Sequence, residues 1–305
     1  MEKYIQIETE NNAAGAKQPV TKAKVLKTVG KVLMWIVGAI IILIGVFPFL
    51  WVILSSFKPL TEIQSIKFHF FPQKWTGDNY VALFSATNRY FPRGTSFVQS
   101  LGMTLLVSFL ALVLSLIVNS LAAYAFARLE FPGKKILWAV YAINMFIPNI
   151  AILIPCYLVV SKMGMTDTLS VLIFPGITYI WSIFFYRQYY LGIPRSIEEA
   201  ALIDGCSRIG IYFRMFIPMS VTPFIIMGLS VFQGFWNSYL WPSMVLSDNM
   251  GLFQVNQLIA YFRNTQGTHW DLLLAGTVVT CIPLIIILIV MQKYIMQGIK
   301  ISGIK

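Results

Sequence analysis

The chain has 305 residues, of which 57% are hydrophobic and only 11% are charged, and its mean hydropathy is +0.73. Soluble globular proteins carry about 25% charged residues, so this composition excludes an ordinary soluble domain and predicts an integral membrane protein. The formal net charge of +11 could suit a nucleic-acid-binding protein, but the basic residues lie in loops and tails beside apolar segments, where they act as topology signals.

The N-terminal residues 1–31 are polar and rich in lysine, and they predict a cytoplasmic tail. Residues 32–57 carry no charge, and as a helix they would extend about 39 Å at ~1.5 Å per residue, enough to cross a bilayer. A signal peptide would have a shorter apolar segment followed by a small-residue cleavage site. We therefore predict an uncleaved first transmembrane helix over residues 32–57 and an external loop over residues 58–98.

Five further apolar segments predict a five-helix core over residues 99–292, with a loop at 191–218 and a C-terminal tail at 293–305. Most of the 23 Lys and Arg residues then lie on the side that holds both termini, which the positive-inside rule makes cytoplasmic. Prolines within the apolar segments predict kinked helices. The spans are expected at about residues 99–126, 136–160, 169–190, within 215–247 and at 272–292, with kinks at Pro148, Pro155, Pro175, Pro223 and Pro283.

The loop at 191–218 is the most highly charged interruption of the long hydrophobic half of the sequence. Pro194 suits the first turn of a helix, and Ser196 with Glu199 three residues later fits a capping box. Gly205 allows a sharp turn out of that helix. The pattern predicts a short amphipathic helix between two spans. An ordinary loop helix to which nothing binds is the alternative.

This loop resembles the EAA loop of ABC importer permeases. Glu199–Ala201 are followed after three residues by Gly205, and the conserved Leu-Pro and upstream Ile of the family correspond here to Ile217-Pro218 and Met215, which keep apolar residues. The resemblance implies that Glu199 contacts a basic residue of a partner ATPase, that Ala200 and Ala201 permit close approach, and that Gly205 makes the turn. Asp204 is expected to cap the helix or to pair locally.

Three more segments resemble the maltose-permease-like, carbohydrate-uptake branch of that family. Gln233–Pro242 is similar to its fifth-span signature, and Phe70–Tyr80 is similar to the external segment after the first span. The end of the chain, from Gln292 to Gly303, is similar to the tail of the smaller of the two permease subunits. The resemblance implies an all-α membrane protein with six transmembrane helices and the type I ABC importer permease fold. It also implies a bacterial plasma-membrane location with both termini cytoplasmic.

The partners implied by the resemblance are a second homologous permease subunit, two ATPase subunits and an extracytoplasmic sugar-binding protein, with an oligosaccharide as substrate. ATP and Mg are expected on the ATPase. Gly133–Lys135 is the nearest approach to a phosphate loop in this chain, and it lacks the upstream Gly and the following Ser or Thr. The three cysteines and two histidines are widely separated. We therefore expect no cofactor, no metal and no catalysis from this chain.

Polar side chains inside spans are costly and usually face a cavity, so they are candidates for the sugar path. Gln233 and Asn237 are four residues apart and would share a helix face. Aromatic side chains could provide faces for sugar rings. Interhelical hydrogen bonding and packing are the alternative roles. The candidates are Gln233, Asn237, Trp236, Asn119, Asn144 and Tyr141, with Asn149 and Trp181 beside them.

Two other functions fit a multispan chain. An ion-coupled secondary transporter or channel would act without an ATPase, but the predicted spans contain no Asp, Glu, Lys or His that could couple ions, and no inverted repeat is visible. An assembly or signalling protein would have no transport role. Only the importer hypothesis requires a helix at residues 199–201, so this helix discriminates among the three proposed functions.

Overall fold

The computed structural model shows a helical protein, with no strand among the residues that it describes. Two compact units are distinguished, Met1–Val52 and Ile53–Lys305. Most of the predicted N-terminal tail and Gly303 of the C-terminal motif lie outside the described residues. The described residues are 22–85, 90–92, 94–263 and 268–302.

The helices are numbered here in chain order. Short 3-10 turns occupy residues 144–146, 174–176 and 250–252, and a π turn occupies residues 212–216. The α-helices are α1 (Lys22–Ser56), α2 (Leu60–Ile63), α3 (Asp78–Phe84), α4 (Phe97–Arg128), α5 (Lys134–Ile143), α6 (Asn149–Lys162), α7 (Leu169–Ile173), α8 (Ile180–Leu191), α9 (Arg195–Ile203), α10 (Arg208–Ile211), α11 (Ile217–Met219), α12 (Val221–Trp236), α13 (Leu240–Val245), α14 (Val255–Tyr261) and α15 (Trp270–Ser302).

Helix α1 forms most of what is described of the first unit. It begins well before the predicted start at residue 32 and continues through Pro48 without a break. Its apolar side chains are largely exposed, as expected of a helix that faces lipid.

The predicted external loop is partly structured, because it contains α2 and α3. The side-chain amide of Asn79 in α3 donates to the carbonyl oxygens of Ser56 (2.8 Å) and Lys58 (2.9 Å). Leu83 of the same helix is buried in an apolar cluster with Phe97 and with residues of α14 and α15. Helix α3 therefore attaches the loop to the end of α1 and to the apolar cluster of the second unit.

Six spans are counted when broken helices are taken together. Helices α1, α4 and α15 are each long and apolar enough to cross a membrane unbroken. The pairs α5–α6, α7–α8 and α10–α12 reach that length only together, and they bend at their breaks by 111°, 44° and 82°. If each pair crosses once, the total is the predicted six.

The predicted third, fourth and fifth spans are therefore broken helices, which corrects the expectation of continuous kinked ones. Pro148 stands before α6 in extended conformation, and Pro175 lies in the 3-10 turn between α7 and α8. Pro223 lies in the first turn of α12, just after the third break. A proline cannot donate a backbone hydrogen bond, so helices end readily before it. Pro155 and Pro283 lie inside continuous helices.

Helix α4 forms the centre of the second unit and packs most extensively against α8 and α12. Small side chains on its buried face let neighbouring helices approach closely, which is the usual way that helices associate within membranes. The neighbouring helix α12 also fits closely, since a Cβ added to its Gly228 would lie 3.3 Å from Leu112 Cδ1 of α4. The small buried residues of α4 are Ser100, Thr104, Ser108, Ala111, Ser115, Ser120, Ala123 and Ala127.

Candidate functional site

Helix α9 carries the residues predicted for ATPase coupling. Its N-cap is Pro194, which has no side chain able to accept a hydrogen bond, so the predicted Ser196–Glu199 capping box is wrong. The helix ends in a sharp turn at Gly205, as predicted: Gly205 has φ +80°, and Cys206 N–H donates to Ala201 O (2.9 Å). Gly205 N–H donates to Leu202 O (3.1 Å), which completes a Schellman turn. A residue with a Cβ would be strained at Gly205.

Glu198 attaches α9 to the membrane helices. It is only 8% exposed, and its carboxylate lies 3.8 Å from Arg128 Nη1 and 3.4 Å from Arg208 Nη1. Arg128, at the C-terminal end of α4, also donates hydrogen bonds to the carbonyl oxygens of Tyr190 and Ile193. The guanidinium of Arg128 therefore joins the end of α4, the end of α8 and the start of α9. We call this arrangement the Arg128 junction.

The opposite face of α9 is open. Glu199 and Ala200 are exposed, and so are Asp204 and Gly205 at its end. Beside them Ile203 is 86% exposed. This face combines a carboxylate with apolar surface. It is the part of the loop available for contact with another protein.

Ala201 does not share that open face. It is buried in an apolar cluster with Tyr190 and Tyr212, so its small size lets α9 approach this chain's own core rather than a partner. The backbone N–H of Asp204 donates to Ala200 O (3.0 Å). This bond does not use the aspartate side chain, so any residue at position 204 could form it.

Sequence reasoning missed the role of Glu198. The signal was present in the helical period, because Glu198 and Ala201 are three residues apart and share a face, whereas Glu199 does not lie on it. Arg128 was visible only as a charge at the end of an apolar segment. Nothing in the sequence joined it to a residue seventy positions later.

Two adjoining cavities lie among α6, α8 and α12, with volumes of about 440 Å³ and 550 Å³. They share Asn149, Ile152, Thr178 and Tyr179 in their walls. Four of the predicted polar and aromatic candidates line the larger cavity together. They are Tyr141, Asn144, Asn149 and Trp181.

Asn119 and Trp236 line neither cavity, because their polar atoms form bonds within the protein. The Asn119 amide donates to Ser115 Oγ (2.6 Å) and to Ile177 O (3.0 Å), and its oxygen accepts from Tyr179 N–H (3.1 Å). It thereby holds the broken segment between α7 and α8. Trp236 is fully buried, and its Nε1 donates to a carbonyl of α15 at 3.2 Å. For these two residues the structure favours the helix-joining role.

Gln233 and Asn237 also lie outside both cavities. Helix α12 ends at Trp236, so Asn237 is its C-cap and its backbone N–H donates to Gln233 O (2.9 Å). The smaller cavity is lined instead by their neighbours Gly234, Phe235, Ser238 and Trp241, together with Gln254 from the loop before α14. Trp241 and Ser238 belonged to the recognised Gln233–Pro242 segment, whereas no sequence signal pointed to Gln254.

Asp167 clamps two loops at the end of the molecule where α6 and α13 terminate. Its Oδ1 accepts backbone N–H groups from Ser247 (2.7 Å), Asp248 (3.0 Å) and Asn249 (3.1 Å). Its own N–H donates to Val245 O (2.9 Å). The bonds from Asn249 and Asp248, with that from Ser247, lower the pKa of Asp167 to about 2. The carboxylate is thus kept charged well below neutral pH.

The described residues contain no cluster of three His, Cys, Asp or Glu side chains that could hold a metal ion. The candidate sites are therefore a protein-contact surface on α9 and a pair of cavities lined by polar uncharged and aromatic side chains.

Comparison with known proteins places these features in a family. Residues 120–301 match the family described as binding-protein-dependent transport system inner membrane component. The arabinooligosaccharides transport system permease protein AraQ of Halalkalibacterium halodurans is 33% identical over 279 residues, which cover 90% of this chain and 97% of that protein. The trehalose/maltose transport system permease protein MalG of Thermococcus litoralis is 29% identical, with coverage of 90% and 97%.

A solved structure has the same fold. It is a crystal structure of a bacterial ABC transporter involved in the import of the acidic polysaccharide alginate. One of its chains matches with a TM-score of 0.73 and 20% identity, covering 92% of this chain and 99% of that one.

Proposed function

The chain belongs to the binding-protein-dependent inner membrane components of ABC importers, and from that premise we propose that it is the permease subunit of an ATP-driven oligosaccharide importer. The observation that carries the proposal is the open face of α9, with Glu199 exposed beside Ile203 on a helix that the Arg128 junction fixes to α4. The relatives named above support the choice of substrate, since both are permeases of transport systems for oligosaccharides or disaccharides.

The complex that follows from this function has a second homologous permease, two ATPase subunits that bind ATP and Mg, and a sugar-binding protein outside the cell. Both termini and α9 then face the cytoplasm of a bacterial cell, in agreement with the distribution of basic residues. The open face of α9 lies in a cleft of the ATPase, where Glu199 pairs with a basic side chain and Ile203 is covered.

Coupling then runs through Glu198. When the ATPase subunits close on ATP, they move α9 as a unit, because the Schellman turn at Gly205 and the buried Ala201 hold its end. The Arg128 junction passes that displacement to the ends of α4 and α8. Helix α8 and the broken spans beside it line the cavities, so the cavities open to one side of the membrane and close to the other.

The test is import of radiolabelled sugar by proteoliposomes that contain the complete transporter and its binding protein. Arabinotriose, maltose and trehalose represent the sugars for which the relatives are named. We expect ATP-dependent import of at least one of them. Glu199→Lys should reduce that import by at least tenfold while the subunit still reaches the membrane, because it places a cation where a basic side chain of the ATPase is expected.

Glu130→Lys is the matched control, since it makes the same charge change at an exposed position between α4 and α5, where Glu130 pairs with Lys134. That pair is a surface ion pair and contributes little. Import that persists unchanged in Glu199→Lys would contradict the coupling role. Import by the wild type without ATP would instead favour an ion-coupled transporter.

A further inference from the structure

The segment between α1 and α3 folds into a closed lobe, residues 58–76. Thr76 N–H donates to Phe57 O (2.9 Å), which returns the end of the segment to the residue that follows α1. Within the lobe, the Glu62 carboxylate accepts the backbone N–H of Gln73 (3.0 Å). These bonds give the lobe a fixed shape, so the side chains on its outside are held there by the backbone.

The outside of the 58–76 lobe is rich in large apolar side chains. Lys67 N–H donates to Ser65 Oγ (3.1 Å), and this tight turn presents a fully exposed Ile66 at its tip. Exposed apolar surface of this kind marks a contact with another protein or with a membrane. The other large apolar side chains exposed on the lobe are Phe68 (70%), Phe71 (65%) and Trp75 (60%).

The charges of the lobe favour an anionic partner. Residues 58–76 contain three lysines, and Glu62 is their only acidic residue. Lys58 is buried and donates to a backbone carbonyl of the lobe, whereas Lys67 and Lys74 are exposed and stand next to the exposed apolar residues in the chain. Lysines beside exposed aromatic side chains are typical of a membrane interface, where the charges meet lipid phosphates and the rings lie at the level of the headgroups.

The place of the lobe in the chain favours a membrane over a protein partner. Phe57 directly follows α1, the long apolar helix whose exposed side chains suit lipid. The ring of Trp75 lies 5.9 Å from the ring of Phe57. The exposed surface of the lobe therefore begins where a lipid-facing helix ends, at the depth where headgroups are expected.

We infer that the 58–76 lobe lies on the membrane surface, with Ile66, Phe68 and Trp75 among the lipids and with Lys67 and Lys74 bound to the phosphate groups of anionic phospholipids. This surface goes beyond the proposed function. It requires α1 to span the membrane, and it would exist whatever the protein transports.

The first test locates the lobe relative to lipid. The full-length chain, with Cys156, Cys206 and Cys281 replaced by Ala, is reconstituted in nanodiscs whose phospholipids carry bromine on their acyl chains. The variant Ile66→Cys carries a bimane label, whose fluorescence is quenched by contact with bromine. Ile42→Cys, at an exposed position of α1, is the lipid-exposed reference.

We expect the label at position 66 to be quenched at least half as strongly as the label at position 42. Ile203→Cys, also at a highly exposed isoleucine but on the open face of α9, should be quenched much less. Quenching at position 66 below half of the value at position 42 overturns the membrane contact. Shielding of such a label from aqueous iodide in the complete transporter would then identify a protein as the partner.

The second test keeps the native cysteines and measures whether the lysines bind anionic lipid. Hydrogen exchange of peptides from residues 58–76 is followed in phosphatidylcholine nanodiscs with and without phosphatidylglycerol. A lysine near an anionic surface favours binding by a factor of about five, so phosphatidylglycerol should slow exchange in the lobe by about fivefold or more. Lys67→Gln combined with Lys74→Gln should lose this dependence.

Lys134→Gln combined with Lys135→Gln is the matched control, since it removes the same charge outside the lobe and should leave the dependence on phosphatidylglycerol in place. A wild-type lobe that exchanges equally fast in both lipids overturns the binding of anionic lipid. So does a dependence that survives the loss of Lys67 and Lys74.

Discussion

Replacing Glu198 by Gln should loosen α9 from the membrane helices without unfolding the protein. At 3.8 Å and an effective dielectric constant of about 20, the attraction between Arg128 and the Glu198 carboxylate is about 4 kcal/mol. Desolvation of the buried carboxylate offsets roughly half of it. The pair with Arg208 adds little, because Arg208 is largely exposed. Loss of about 2 kcal/mol should accelerate local opening of α9 roughly 30-fold.

The assay is hydrogen exchange by mass spectrometry on the protein in lipid nanodiscs. Peptides covering Arg195–Ile203 should exchange about 30-fold faster in Glu198→Gln, while peptides from α14 should not change. Glu199→Gln is the matched control, since it makes the same chemical change one residue away on the exposed face, and it should leave α9 protected. If α9 exchanges at the wild-type rate in Glu198→Gln, or equally fast in both variants, the Arg128 junction does not hold the helix.

Two more predictions concern turns and loops. Gly205→Ala should destabilise the end of α9 by about 1 kcal/mol, because alanine is strained at φ +80°. Hydrogen exchange of peptides that end at Cys206 should therefore be faster. Gly77→Ala is the control and should have no such effect, because Gly77 has negative φ and open space around it. Asp167→Ala should lower the thermal midpoint, and the difference from the wild type should depend on pH. The pKa of Asp167, about 2, lies below its value of about 3.9 in the unfolded chain, so the stabilisation is complete above pH ~4 and disappears as the pH falls through 2. A difference that stays constant from pH 7 to 3 would contradict the assignment to this carboxylate.

The number and approximate position of the spans could be predicted because uncharged segments of sufficient length are unmistakable. The breaks could not. Residues 136–160 form one apolar segment, and Pro148 marks a weak point without specifying that α5 and α6 meet at 111°. Pro155, in the same segment, lies within a continuous helix. The segment packs against α8 and α13, and a single sequence does not reveal these contacts.

The candidate sites divide in the same way. The α9 motif was recognisable because its residues are contiguous and their spacing follows the helix period. The polar residues inside spans have different roles. Asn119 binds the segment between α7 and α8, whereas Asn144 lines the larger cavity. Chemistry alone does not separate these roles, since both are amides in apolar segments. Gln254 was not considered at all, because it lies outside the spans in sequence and is folded back against α4 through Val255.

The break between α5 and α6 has a consequence for water. At ~1.5 Å per residue, α5 and α6 extend about 15 Å and 21 Å, so neither crosses a hydrocarbon core of about 30 Å by itself. At the break several backbone groups are bonded locally, since Asn144 Nδ2 donates to Val140 O (2.9 Å) and Ala151 N–H donates to Pro148 O (2.9 Å). Lipid cannot hydrogen-bond the backbone groups that remain unpaired at a break, so we expect this bend to pack within protein or to line an aqueous cavity rather than to face lipid. The exposed side chains of Asn144 and Asn149 stand at that point and line the larger cavity, so the bend forms a polar part of the wall of that cavity.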